Sequence, residues 1–252
     1  EAAFDLADPQ LPLPAGHEGL RNHVFSLLDS TELNAVVVDV KGDKGLLSYQ
    51  SDVPAASRIG ANAAPTIRDW PAFIQDLQDR NIYTIARIVV FKDNYLARAH
   101  PEWAVKTAAG DLWLDREGLP WLEPFHEEVW DYNIALAVEA AERGFDEIQF
   151  DYIRFPTDGR LSSIAYSQPV DDPAVRTAAI SDFLAKASQA LEPYDVKLAA
   201  DVFGYTAWHR GDFRIGQDLS LMAAHLDVLS PMLYPSTYDH GLIGMPQYDF
   251  AI

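Results

Sequence analysis

The stretch Gly144–Arg160, GFDEIQFDYIRFPTDGR, decides how the rest of the chain is read. Gly144 stands where a helix C-cap glycine belongs, because glycine accepts the left-handed backbone that ends a helix. The residues after it read as a short, buried strand. Alternation along that strand puts Gln149 and Asp151 on one face. Asp151 and Arg154 fall at its C-terminal end, where the chain breaks before Pro156. Carboxylates are rarely buried without partners, and an adjacent guanidinium favours the ionised form. The expectation is that Arg154 holds Asp151 charged.

Outward from this stretch, helical segments alternate with apolar runs. The runs fall near residues 35–40, 82–91, 146–153, 196–203 and 227–234. Helical spacing of apolar residues marks 18–30, 69–80, 126–143, 171–192 and, more weakly, 212–225. Asp69 reads as an N-cap, with Pro71 in the first turn. Strands buried on both faces and separated by helices imply a parallel sheet. The loops leaving the strands, 41–68, 92–125 and 154–170, are long, and a (β/α)8 barrel builds its site on such loops. A doubly wound sheet also binds at its strand ends, but no GxGxxG or P-loop pattern follows any strand here. The expected fold is therefore α/β, a (β/α)8 TIM-type barrel in one domain. It is read as incomplete, since neither a first nor a last strand is evident. A further strand is sought around 112–122, and residues 1–15 read as irregular.

Composition narrows the function. The chain has 252 residues, a formal net charge of −19 and no cysteine. A field of that sign repels phosphate backbones, so nucleic acid is not an expected partner. Without cysteine there is neither a disulfide nor a thiolate site. No run of about eighteen apolar residues is present, so no membrane-spanning helix is expected.

Three strands deliver a carboxylate near their C-terminal ends: Asp39, Asp151 and Asp201. These are the candidate catalytic residues. Aromatic residues crowd the same rim, namely Tyr152, Phe203, Tyr205, Trp208 and Tyr234, with Trp121 in the long second loop. Sugar rings stack on such faces. Lys41, Arg87, Gln149 and Arg154 join them as candidate substrate-binding residues. Arg87 and Gln149, if inward, also read as core hydrogen-bond partners. Metal motifs are weak, with no HxH or HExxH, and only Asp39, Asp43 and Asp201 offer a carboxylate set for a divalent cation. No GxSxG elbow supports a serine nucleophile.

The blocks STELNAVVVDVKGDKG, ARIVVFKD, GFDEIQFDYIRFPTDG, ADVFGY and LSPMLYPSTY resemble the putative glycosyl hydrolase domain family, a TIM-barrel domain formerly of unknown function, over roughly residues 28–245. The resemblance implies a barrel related to α-amylase-like and other carbohydrate-active barrels. It implies that the five runs are the second, third, fourth, sixth and seventh strands, with the fifth hard to place. It also implies a catalytic carboxylate at Asp151, an acid/base at Asp201 and a family motif position at Asp39. Thr237 stands where the family often has His. The leading expectation is a glycosidase with a glycan substrate and no cofactor, secreted or in the cell envelope. The alternatives are a non-catalytic glycan-binding barrel of the cell envelope and a metal-dependent hydrolase. Oligomeric state is not legible.

Overall fold

The computed structural model describes residues 20–207 and 211–234. Five parallel strands form its sheet: β1 (Ala35–Lys41), β2 (Tyr83–Val89), β4 (Glu147–Asp151), β6 (Lys197–Phe203) and β7 (Val228–Met232). Two-residue strands β3 (Lys106–Thr107) and β5 (Ile164–Ala165) pair antiparallel with each other. The helices are α1 (Leu20–Ser30), α2 (Pro54–Ile59), α3 (Trp70–Asp79), α4 (Asn94–Ala99), α5 (Glu127–Glu142), α6 (Pro173–Leu191) and α7 (Leu219–Met222). Asp69 caps α3 by accepting the Ala72 amide, with Pro71 behind it. Gly144 ends α5 with φ 97°. Both follow from the sequence pattern.

The strand order is β1-β2-β4-β6-β7, so each wall strand lies beside the next one in the chain. Parallel crossovers are almost always right-handed, and a sheet that advances one way throughout carries its connecting helices on one face. A doubly wound sheet reverses direction at a switch point, and this one does not. The wall is thus that of a TIM-type barrel.

Pleating divides the residues of the wall. Val38, Val40, Ala86, Ile88, Ile148, Phe150, Leu198, Ala200 and Val202 share the face covered by helices, and all are buried. Phe150 meets Phe183 of α6 with ring centroids 5.0 Å apart. The opposite face carries Val37, Asp39, Arg87, Gln149, Asp151, Asp201 and Phe203, the polar residues among them.

Three expectations change. β4 pairs directly with β6, Ile148 opposite Leu198, so no fifth strand stands between them. Residues 112–122 form short antiparallel bridges, Lys106 with Leu112 and Leu114 with Pro120, and not a wall strand. The weak helix at 212–225 reduces to Leu219–Met222, because Gly211, Phe213, Arg214 and Gly216 all take positive φ and break it. The β3–β5 ladder ties the loop after β2 to the loop after β4.

Candidate active site

Register explains why the acids meet. Asp39, Arg87, Gln149, Ala199 and Val228 are successive cross-strand partners and form one row on the inner face. Two residues further along, Val89 faces Asp151, and Asp201 faces Ser230. Phe150 pairs with Ala200, so Asp151 and Asp201 are the next neighbours on the face turned from the helices. Gln149 reaches past β6 and donates to Ser230 Oγ at 3.1 Å.

Arg87 is the hub of the acid cluster. Its Nη1 donates to Asp39 Oδ1 at 2.7 Å, its Nε donates to Asp151 Oδ2 at 3.1 Å, and its Nη2 bonds that same oxygen. Asp201 Oδ2 lies 3.7 Å from Nε. Burial lowers the Arg87 pKa, but Asp151 and Asp39 more than offset that and raise it. The guanidinium is permanently charged. The other oxygen of Asp151 accepts the Tyr152 amide at 2.6 Å.

Asp201 has the opposite environment. Burial first, and then the neighbouring Asp151 carboxylate, push its pKa up to about 7 against the pull of Arg87. The two carboxyl groups lie within hydrogen-bonding reach of each other. Two like charges at that distance cannot both ionise freely, so the pair holds one proton across the weakly acidic range.

Arg154 is not the partner of Asp151, which corrects the reading from sequence. Tyr152 takes φ 51°, a left-handed turn that a non-glycine residue seldom adopts, and the chain swings away from the strand direction. Arg154 then donates to Thr157 Oγ1 at 2.8 Å, and its guanidinium packs over Tyr152, Trp121 and Phe203 at 4.8, 5.2 and 5.7 Å. Lys41 is also corrected. A register shift after Asp39 pairs Lys41 with Ile88 of the helix-covered face. The ammonium is fully buried, bonded to Asp93 at 2.8 Å and 5.2 Å from the Tyr132 ring centroid. A ligand does not reach it.

Among the aromatics, Trp121 is buried and donates its indole N–H to Asp115 at 3.0 Å. Phe203 and Tyr205 stack with centroids 5.7 Å apart. Tyr234 is exposed beyond β7. Trp208 lies outside the described residues, as does Thr237. Phe203 and Tyr205 line a cavity of about 750 Å³ together with Phe155, Tyr166 and Phe213. It opens between the loops that follow β4 and β6.

The carboxylate set considered for a cation does not assemble. Asp39 and Asp201 converge on Arg87, whereas Asp43 faces Lys92 at 3.6 Å. No group of three or more metal-ligating side chains occurs among the described residues. Lys92 escaped the sequence reading. It is buried, bonds Asp115 at 3.1 Å and stands 5.5 Å from the Tyr152 ring centroid. Its only signal is its place directly after the apolar run of β2.

Similarity to known proteins agrees with this architecture. A solved hypothetical protein from Ruminiclostridium thermocellum ATCC 27405 is 38% identical, covers 73% of this chain and 92% of its own, and superposes with a TM-score of 0.62. The PgaB (BpsB) glycoside hydrolase domain from Bordetella bronchiseptica matches with a TM-score of 0.58 at 15% identity, over 87% of this chain and 70% of that one. The Thermus thermophilus α-galactosidase TtGalA, solved with stachyose, matches with a TM-score of 0.52 at 15% identity, over 82% of this chain and 39% of that one. At such identities the last two speak to fold alone. No curated protein matches in sequence. The family model described as "Putative glycosyl hydrolase domain" matches residues 13–251, nearly the whole chain. The chain belongs to the putative glycosyl hydrolase domain family.

Proposed function

We propose that the domain is a glycoside hydrolase whose reacting groups are Asp151 and Asp201. The observation that supports this reading is a pair of carboxyl groups, within hydrogen-bonding reach of each other, in unlike environments. Asp151 is bonded by a guanidinium, while Asp201 is buried and holds a proton up to about pH 7. Environments that split two carboxylates in this way assign acid and base roles. Asp201 protonates the glycosidic oxygen as the bond to the leaving group breaks. Asp151 forms a bond to the anomeric carbon. Asp201, now ionised, takes a proton from water, whose oxygen displaces Asp151. Asp201 is thereby reprotonated and Asp151 freed.

A pair within hydrogen-bonding reach is nearer the about 5–5.5 Å spacing of retaining enzymes than the roughly 6.5–9.5 Å of inverting ones, and retention is the mechanism taken here. Arg87 serves as a positioning residue for Asp151, and Asp39 fixes the far side of Arg87.

The test is hydrolysis of a polysaccharide panel by wild type, Asp151→Asn and Asp201→Asn. Wild type is expected to cleave at least one glycan, with each variant slower by about 10³-fold or more. Wild-type rates in Asp151→Asn would sink the assignment. Glycan binding with no cleavage by wild type would replace it with a non-catalytic binding barrel.

A further inference from the structure

Two pockets of unlike chemistry flank the acid cluster. On the β1 side, Asp39 lines a pocket of about 280 Å³ together with Asp43, Lys44, Ser48 and Thr66. Side chains of these types donate to and accept from hydroxyl groups, as a sugar ring requires. On the β6 side lies the larger cavity of about 750 Å³. It begins one inward position past the acid pair, because Phe203 follows Asp201 by two residues and shares its face.

The larger cavity offers a guest mostly rings and few hydrogen bonds. Phe155 and Tyr166, from the loop after β4, meet edge to face with centroids 5.5 Å apart. From the β6 side, Phe203 stacks on Tyr205 at 5.7 Å, and Tyr205 lies 6.0 Å from Phe213. Ile164, Val170 and Ile215 complete the apolar lining. The polar side chains there are largely engaged. Arg176 directs its donors to Asp212, at 2.5 and 3.0 Å, and to the Val170 carbonyl. Thr157 Oγ1 accepts from Arg154 at 2.8 Å. Ser162 and Arg214 are exposed to water. The hydroxyl of Tyr166 forms no hydrogen bond among the described residues, which suffices for one polar atom of a guest. A sugar ring carries hydroxyls around its whole edge, and most of them would lose hydration here without a replacement partner. A flat aromatic group has no such requirement, and it gains offset or edge-to-face contacts with the lining rings.

We propose that the glycan bound by this domain carries an aromatic group, as its aglycone or as an aroyl ester on a sugar, and that the cavity beside Phe203 receives that group. The aromatic site stands on the cavity alone. Its place next to the cleaved bond rests on the glycosidase reading.

The test is calorimetric titration of wild type, Phe203→Ala and Phe213→Gly with three sets of probes: 2-naphthyl glucosides and galactosides of both anomers, the matching methyl glycosides, and methyl 6-O-benzoyl glucosides and galactosides. Wild type is expected to bind at least one naphthyl or benzoyl compound about tenfold or more tighter than its plain methyl counterpart, a fraction of what burying a whole ring can contribute. Preference for the naphthyl set assigns the aglycone, and preference for the benzoyl set assigns the ester. Phe203→Ala should reduce the preference at least threefold. If that variant fails to fold, Phe213→Gly carries the comparison, since Phe213 is 40% exposed and its φ of 48° suits glycine. No binding of any aromatic probe, equal affinity for aromatic and methyl compounds, or a preference unchanged in the folded variants overturns the proposal. Cleavage of unsubstituted glycans without aromatic preference would remove this inference and leave the glycosidase reading standing. Aromatic preference without cleavage of any glycan would do the reverse.

Discussion

Asp151 bonds Arg87, which lies on the neighbouring strand, and not Arg154, three residues along its own chain. The pairing follows from the ladder. Arg87 is level with Gln149, one inward position before Asp151, so its side chain reaches forward along the inner face to the strand end. A guanidinium placed there contacts carboxylates from three strands at once.

Arg87→Met should expose how far the acids depend on this cation. Removing one partner from a largely buried charge network costs about 3–5 kcal/mol, and the partial exposure of Arg87 brings the expected loss below that range, to about 2–3 kcal/mol. The loss should shrink as pH falls, because protonation relieves carboxylates that have lost their cation. Urea unfolding of both proteins at neutral and acidic pH measures it. A loss independent of pH would mean that Arg87 acts by packing alone.

Asp201 makes both stability and activity depend on pH. Its folded pKa of about 7 lies above the ordinary 3.8, so between those values the folded state holds a proton that the unfolded chain releases. Stability then falls as pH rises through that window. Wild type should lose stability from about pH 4 to about pH 7 relative to Asp201→Asn, and thermal unfolding across that range reads the difference. If Asp201 is the general acid, hydrolysis should also decline above about pH 7. A rate rising beyond that point would exclude the role.

The wall of the barrel was legible because its signal is local. A buried strand needs only a few apolar residues in alternation, and Val38, Asp39 and Val40 carry that pattern within themselves. The acids at the strand ends were legible for the same reason. Their partners were not. Which cation faces Asp151 depends on the register between β2 and β4 and on the left-handed turn at Tyr152, and neither has a period that a single strand displays. Arg87 stood out only as a polar residue in a strand. The absence of a strand between β4 and β6 is likewise a fact of pairing, visible only once Ile148 is found opposite Leu198.

Tyr152 gives a separate test of the strand end. At φ 51° its backbone is held in a conformation that costs about 1–2 kcal/mol for a residue with a Cβ. Its ring lies between Lys92 and Arg154, 5.5 and 4.8 Å from its centroid. Tyr152→Gly relieves the backbone but removes the face shared by two buried cations. Tyr152→Phe keeps the face and should stay within about 1 kcal/mol of wild type, whereas Tyr152→Gly should fall below it by more than that, since apolar burial and two cation–π contacts are lost together. Denaturant midpoints rank the three proteins. Equal stability of the glycine and phenylalanine variants would show that the ring contributes nothing beyond strain.

Lys41 separates structure from ligand binding. The register shift after Asp39 turns its ammonium onto the helix-covered face, where it meets Asp93, and Asp93 in turn caps α4 through the Leu96 amide at 2.8 Å. Gly45, at φ 87°, backs directly onto the same carboxyl, so there is no room for Asp93 to swing away. Burial lowers the Lys41 pKa and Asp93 opposes that shift, so the pair is best described as mutually dependent. Lys41→Met leaves Asp93 buried without its cation and should cost about 3–5 kcal/mol. The protein that remains folded should bind glycan as wild type does, because the ammonium lies away from the acid cluster. Chemical denaturation measures the first effect and calorimetric titration of glycan the second. A large affinity loss at unchanged stability would return Lys41 to the binding site.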